Sequence, residues 1–252
     1  MGAIRHARAR PGRRALSAPP TLPPTLPAGA AFVLGERRGD PATLVVPPPL
    51  ATGRGAILVR PDRRAVVLGS AQRDDAVDPG ACAAAGVAVV RRRSGGGAVL
   101  VGPGEQVWLD VFVPADDRRF EADVSRAAWW LGELWVGALD DAGVAGAAVH
   151  QGPLVAGRHG RVACFAGLGP GEVTLAGRKL VGISQRRDRA GAWLFSMATC
   201  PAPAGAADLP DLLRLDAGDR RQLADDLVAT TTVLRVDAGA VEQALAARLG
   251  AA

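Results

Sequence analysis

The chain has 252 residues and a formal net charge of +5, with 48% hydrophobic and 22% charged residues, enough apolar material for one substantial core. No apolar run reaches the roughly 18 residues of a membrane span, and three scattered cysteines with only three histidines offer neither a disulfide framework nor a zinc motif. The positive charge is dispersed and has no aromatic residues interleaved for base stacking, so no nucleic-acid partner is expected; an acidic protein or a phosphate group is compatible with it.

In chain order, residues 1–30 come first, with five arginines and no acid before Glu36. They read as an unfolded Arg/Pro-rich tail or an over-extended start, with an organellar transit peptide as the alternative. From residue 31 to 252 there is no internal repeat or linker, and a single domain is expected. Two β-branched runs, Ala56–Val59 and Ala65–Leu68, flank Pro61-Asp62 and predict strand, turn and strand. A short helical turn over 79–85 and a buried strand Val87–Val90 follow, then the glycines Gly95–Gly97. Residues 105–114 alternate Val107, Leu109, Val111 and Val113 with Trp108, Asp110 and Phe112, a strand with two different faces ended by Pro114. A long helix over 118–140, capped by Asp117, is expected from the stripe Val124, Ala127, Ala128, Leu131, Leu134, Trp135 and Ala138, with Trp129, Trp130 and Trp135 packed in the core. Short strands are expected at Ala147–Val149, Arg161–Phe165, Glu172–Leu175, Leu180–Ser184 and Ala192–Met197. The C-terminal part, 208–251, reads as helical, with Asp237 as an N-cap. Hairpin-connected strands between helices predict an α+β fold with a mixed, mostly antiparallel sheet.

Three consecutive glycines after a strand let the backbone adopt positive φ and let a ligand approach the main chain without a Cβ in the way; an ordinary bulged turn is the alternative. Exposed amides in such a loop can hold an anion or a carbonyl oxygen. Lys179 is the only lysine among 30 cationic side chains. The arginine-rich composition reads as a coding bias, and the one lysine that persists marks a position where arginine does not serve.

The segment "RRRSGGGAVLV" resembles the signature loop of the lipoate-protein ligase, octanoyltransferase and biotin-ligase superfamily. "GRKLVGISQRR" (177–187) is similar to that superfamily's second motif, and "AVVLGSAQR" (65–73) to its weaker first one. The three occur in the family's order and span roughly 56–200. The resemblance implies a mixed-sheet catalytic domain acting on an octanoyl or lipoyl group. It implies that Lys179 points into the acyl pocket and stabilises the acyl carbonyl oxygen. It also implies that Arg92, Ser94, Gly95, Gly96, Gly97, Ala98, Gln72, Gly182 and Ser184 surround the acyl substrate.

Cys164 stands fifteen positions before Lys179, in an Ala-Cys-Phe like that of the family's cysteine-dependent octanoyltransferases. Its thiolate, favoured by a nearby Lys179 ammonium, would accept the acyl group from an acyl-carrier-protein thioester and pass it to a lysine of a lipoyl-domain protein. A buried structural cysteine is the other reading of Cys164; Cys82 and Cys200 have no such context. The transferase reading needs no cofactor. Its alternative is an ATP- and Mg-dependent ligase using free lipoate, and a second alternative is a non-catalytic acyl-binding relative. The last is motivated by Val101-Gly102, which stand where the family usually carries His-Asp or His-Gly. Gly53-Arg54-Gly55 is too short and misplaced for a biotin-ligase motif. The loop "GPGEQV" (102–107) is closer to the octanoyltransferase version, and no N-terminal helix is recognisable in 28–50. A cytoplasmic protein without a metal site or membrane partner is expected.

Overall fold

The structure, a computed structural model, describes residues 32–48 and 53–251; the Arg/Pro-rich stretch 1–30 lies outside the described residues. Strand β1 (Val33–Gly39) leads into α1 (Pro41–Leu44), a single turn whose Ala42 amide donates to the Asp40 carboxylate. Strands β2 (Gly55–Pro61) and β3 (Ala65–Leu68) are the two expected β-branched runs. They do not pair with each other as a hairpin. Both edges of β2 are taken, by β1 and by a strand from later in the chain, so β3 is left to start a second sheet. Helix α2 (Pro79–Ala84) is capped by Asp78, and β4 (Ala88–Arg91) follows. Instead of being a buried strand, β4 is the edge of its sheet, with Val89 exposed.

After β5 (Val99–Val101) comes β6 (Gln106–Pro114), where period two is obeyed with both faces buried. The expected long helix is much shorter: α3 spans Trp129–Asp141. Asp117 does not open it: its carboxylate pairs with Arg54 at 2.6 and 3.0 Å and accepts from the Arg119 amide at 2.8 Å, closing only a local turn ahead of the helix. Asp123 accepts from the amide and hydroxyl of Ser125, a local turn that competes with helix, and Val124 is 58% exposed. Trp135 is fully buried, as expected; Trp129 and Trp130 are half-buried under the guanidinium groups of Arg126 and Arg119.

Strand β7 (Ala147–Val149) follows. The strand expected at Arg161–Phe165 is replaced by one tight helical turn, Cys164–Ala166, preceded by a single bridge between Ala163 and Ala98. Strands β8 (Val173–Leu175), β9 (Arg178–Asp188) and β10 (Gly191–Thr199) form where expected, and helices α4 (Leu209–Leu212), α5 (Ala217–Thr230) and α6 (Ala238–Ala251) close the chain. Asp237 caps α6 by accepting from the Ala240 amide at 3.0 Å.

The larger sheet has the order β1-β2-β6-β10-β9-β8-β7, antiparallel except for β1/β2; the smaller is β4-β3-β5. The expected α+β class, with a mixed, mostly antiparallel sheet flanked by helices, holds. Val107, Leu109, Val111 and Val113 of β6 face a core shared with Leu131 and Trp135 of α3 and with Leu245 and Leu249 of α6. Trp108 and Phe112 point the other way, into a core between the two sheets with Val67, Val99 and Val101. The far side of the small sheet packs on α2, α4 and α5 through Val66, Leu68, Cys82, Leu212 and Leu223.

On the face of β6 between the sheets lies Asp110, 1% exposed, accepting a 2.6 Å hydrogen bond from the Trp108 indole. Burial pushes its carboxyl up from 3.8 to about 7, against the opposing pull of the Trp108 hydrogen bond and the Arg37 charge. The folded protein therefore holds a proton that the unfolded chain releases between about pH 4 and pH 7. Its contribution is complete below that window and is lost as pH rises through it. Relative to Asp110→Asn, wild-type stability is expected to fall across that window, by up to roughly 4 kcal/mol in total. Urea denaturation of both proteins at intervals between about pH 4 and pH 8 checks this; parallel curves would refute it.

Candidate functional site

The glycine loop joins β4 to β5 and is built to meet a distant segment. Gly96 has φ +99, and a β-carbon there would stand 2.7 Å from the Arg92 guanidinium. A β-carbon on Gly97 would stand 2.7 Å from the carbonyl carbon of Ala163. The close approach lets the Ala98 amide donate to Val162 O, and the Cys164 amide to Ala98 O, both at 2.8 Å. Arg92 folds back over the loop, donating to the carbonyls of Gly95 (2.8 Å) and Gly97 (3.0 Å), and its guanidinium lies 3.9 Å from Cys164 Sγ. Ser94 Oγ and Ser184 Oγ are 3.0 Å apart, joining the loop to β9. Gln72 acts on backbone: its Oε1 accepts from the Gly69 amide, and its Nε2 donates to Val162 O at 3.0 Å.

Lys179 is buried, with 3% of its side chain exposed, and faces a Glu172 side chain that is 5% exposed. Its Nζ donates to Glu172 Oε2 (2.7 Å), Cys164 O (2.8 Å) and Gly167 O (3.0 Å), and sits 4.9 Å over the Phe165 ring. An ammonium carries three donors, and all three are engaged here. A planar guanidinium could not meet three acceptors converging on one point, which accounts for lysine at this position. Glu172 is anchored in turn: Oε2 also accepts from the Gly169 amide at 2.7 Å, and Oε1 from the Ile183 amide at 3.0 Å.

Between the two sheets runs a narrow slot of about 30 Å³. Its polar lining is Arg92, Ser94, Cys164 and Ser184; apolar walls come from Val45, Val67, Val99, Trp108, Phe195 and Met197. Phe165 and Gly182 form part of the wall, and Lys179 lies behind it: a β-carbon on Gly182 would stand 3.4 Å from Lys179 Cε. An open groove of about 800 Å³ adjoins the slot across Val99 and Phe165. Five arginines line it (Arg64, Arg178, Arg220, Arg221 and Arg235) against the acids Glu105, Asp208 and Asp211. Among the described residues no cluster of three or more His, Cys, Asp or Glu side chains could hold a metal ion, and no helix is long and apolar enough to cross a membrane.

Residues 52–201 match the model of the lipoyl protein ligase A/B catalytic domain. The chain belongs to that family. No curated protein matches the sequence. Among solved structures, the fold is similar to a bipartite lipoate protein ligase from Thermoplasma acidophilum, described together with its E2 lipoyl domain. The TM-score is 0.66 at 16% identity, covering 88% of this chain and 83% of that one. A lipoate-protein ligase A bound with ATP gives 0.61 at 14%, covering 88% and 85%. LipL1 of P. falciparum, in complex with lipoate, gives 0.58 at 13%, covering 87% and 61%. Family membership supports an enzyme of protein lipoylation and leaves octanoyl transfer and ATP-dependent ligation undistinguished.

Within this family fold, Arg92, Ser94, Cys164, Gly182 and Ser184 line the slot. Gly95, Gly96 and Gly97 shape the loop beside it; Ala98 lines the groove, while Gln72 and Lys179 line neither. The cation beside the sulfur is Arg92; Lys179 binds the carbonyl oxygen of Cys164. Glu172 was missed from sequence, although a signal existed: it is the only acid between Asp141 and Asp188.

Removing one partner of a buried pair leaves an uncompensated charge. Lys179→Met is expected to cost roughly 3–5 kcal/mol, and adding Glu172→Gln should restore part of it. Urea denaturation of the four proteins in that cycle gives the coupling; additive costs would show that the pair is not coupled.

Proposed function

We propose that this domain attaches an octanoyl or lipoyl group to a lysine of a lipoyl-domain protein by acyl transfer through Cys164. The observation that carries this reading is the position of Cys164, lining a largely apolar slot with its Sγ 3.9 Å from the Arg92 guanidinium. The slot suits a fatty chain, and the cation suits the negative charge that an attacking sulfur brings.

In the first step the Cys164 thiolate attacks the thioester carbonyl of an acyl carrier protein. The new carbon–sulfur bond forms as the old one breaks, and the carrier sulfur leaves and takes a proton. In the second step the neutral amine of the acceptor lysine attacks the Cys164 thioester. An amide forms, Cys164 departs as thiolate, and the amine's surplus proton passes to solvent. Oxyanion charge in both steps falls near Arg92 and the hydroxyls of Ser94 and Ser184. Lys179 holds the carbonyls of Cys164 and Gly167, and so fixes the turn that carries the nucleophile. It reaches an acyl carbonyl only by exchanging one of its three acceptors.

A second reading is ATP-dependent ligation of free lipoate, favoured by the arginine-lined groove next to the slot. Arg178, Arg220, Arg221 and Arg235 would face the phosphates there, and ATP with Mg would supply an activated acyl-adenylate. Intact-mass analysis after incubation with octanoyl carrier-protein thioester separates the two. One octanoyl increment on the wild type without ATP, labile to hydroxylamine and absent in Cys164→Ala, is expected. Transfer to a lipoyl domain should fall by at least about three orders of magnitude in that variant. Full transfer by Cys164→Ala that requires ATP and free lipoate would establish the ligase instead. Binding of octanoate with no turnover in either assay would leave a non-catalytic acyl-binding protein.

A further inference from the structure

We propose that Trp108, oriented by Asp110, is the stop that sets how long an acyl chain the slot accepts. The inference rests on the acyl reading of the slot and goes beyond it by assigning the specificity to a residue outside the three motifs. A volume of about 30 Å³ has room for about two waters, far less than an eight-carbon chain needs. Chain entry must therefore displace side chains, and the walls differ in how readily they can move. Met197 is unbranched with three rotatable bonds, and it fills gaps adaptably. Phe195 stacks on Trp193, ring centroids 6.2 Å apart, an apolar contact that can slide. Phe165 is restrained on one face by the Lys179 ammonium.

Trp108 alone among these bulky walls is held by a side-chain hydrogen bond, 2.6 Å to an Asp110 that is itself fully enclosed. Both residues stand on β6: Asp110 is paired on either side, with Ile57 of β2 and Phe195 of β10, and Trp108 is paired with Met197 of β10, so the backbone beneath the indole is tied to its neighbours. Turning the indole away would leave its N–H and the carboxylate unsatisfied in the interior. An entering chain thus advances by moving Met197 and Phe195 and halts against the indole. Asp110 is a positioning residue, acting through Trp108; Arg37 of β1 is the charged group that acts on it from the neighbouring structure.

Fatty acids of 6, 8, 10, 12 and 14 carbons, titrated calorimetrically into the full chain, test this. Trp108→Phe and Trp108→Ala are expected to move the preferred length up by at least two carbons, with the ratio of 12-carbon to 8-carbon affinity rising about tenfold or more. Asp110→Leu, which frees the indole, should broaden the profile, whereas the conservative Asp110→Asn keeps an acceptor oxygen and retains the wild-type preference. Should Trp108→Ala not fold, Trp108→Phe and Asp110→Leu decide the matter. Folded variants with the wild-type length profile would overturn the stop while leaving the acyl reading intact. A wild type that binds none of the five acids would overturn the acyl reading, and the stop with it.

Discussion

One buried ammonium with three fixed acceptors holds the centre of this molecule together. Lys179 sits on β9, yet its contacts lie in the Cys164 turn, at Gly167 and on Glu172. Glu172 in turn grips the amides of Gly169 and Ile183. The pair therefore sets the distance between the Cys164 turn and β9. Such a pair is not chiefly a source of net stability, because desolvating both charges offsets much of their attraction. Its value lies in geometry: three donors of Lys179 and three bonds to Glu172 tie the segment 164–172 to β9.

Around that centre the fold works as a sandwich of two unequal sheets. The small sheet delivers the glycine loop, and the large one delivers Trp108, Phe195 and Met197. Neither sheet makes the slot alone. Strand β6 is the shared member, with one face given to the helices α3 and α6 and the other to the space between the sheets. Charge is partitioned in the same way. Cys164 lines the slot beside one well-anchored guanidinium, whereas the arginine groove adjoins it across Val99 and Phe165. An apolar space and a cationic one are thus adjacent but separate.

Local patterning was a good guide wherever the cause of structure was local. The alternation in 106–114, the cap Asp237, and the demand for glycine at 96 and 97 all survive in the structure. Errors occurred where a side chain was claimed by a distant partner. Asp117, expected as a helix cap, closes only a local turn onto the Arg119 amide while its carboxylate is also held by Arg54, far away in sequence. The runs 56–59 and 65–68 looked like a hairpin until β6 occupied the free edge of β2. At the site, the family motifs pointed to Arg92, Ser94, Gly182 and Ser184, and the Ala-Cys-Phe resemblance to Cys164. None of these signals pointed to Trp108 and Asp110, whose side chains look like ordinary strand positions.

The sequence by itself determined the family, the α+β class, the need for a glycine loop, and the fact that a single ammonium has a task arginine cannot perform. Spacing and side-chain chemistry suffice for those, because they concern what each residue type can do. Tertiary structure alone decided which cation meets the thiol, what the ammonium binds and where the slot ends. Those outcomes depend on which of many competing acceptors and edges a side chain reaches first. Only closure of the two sheets around β6 resolves that competition.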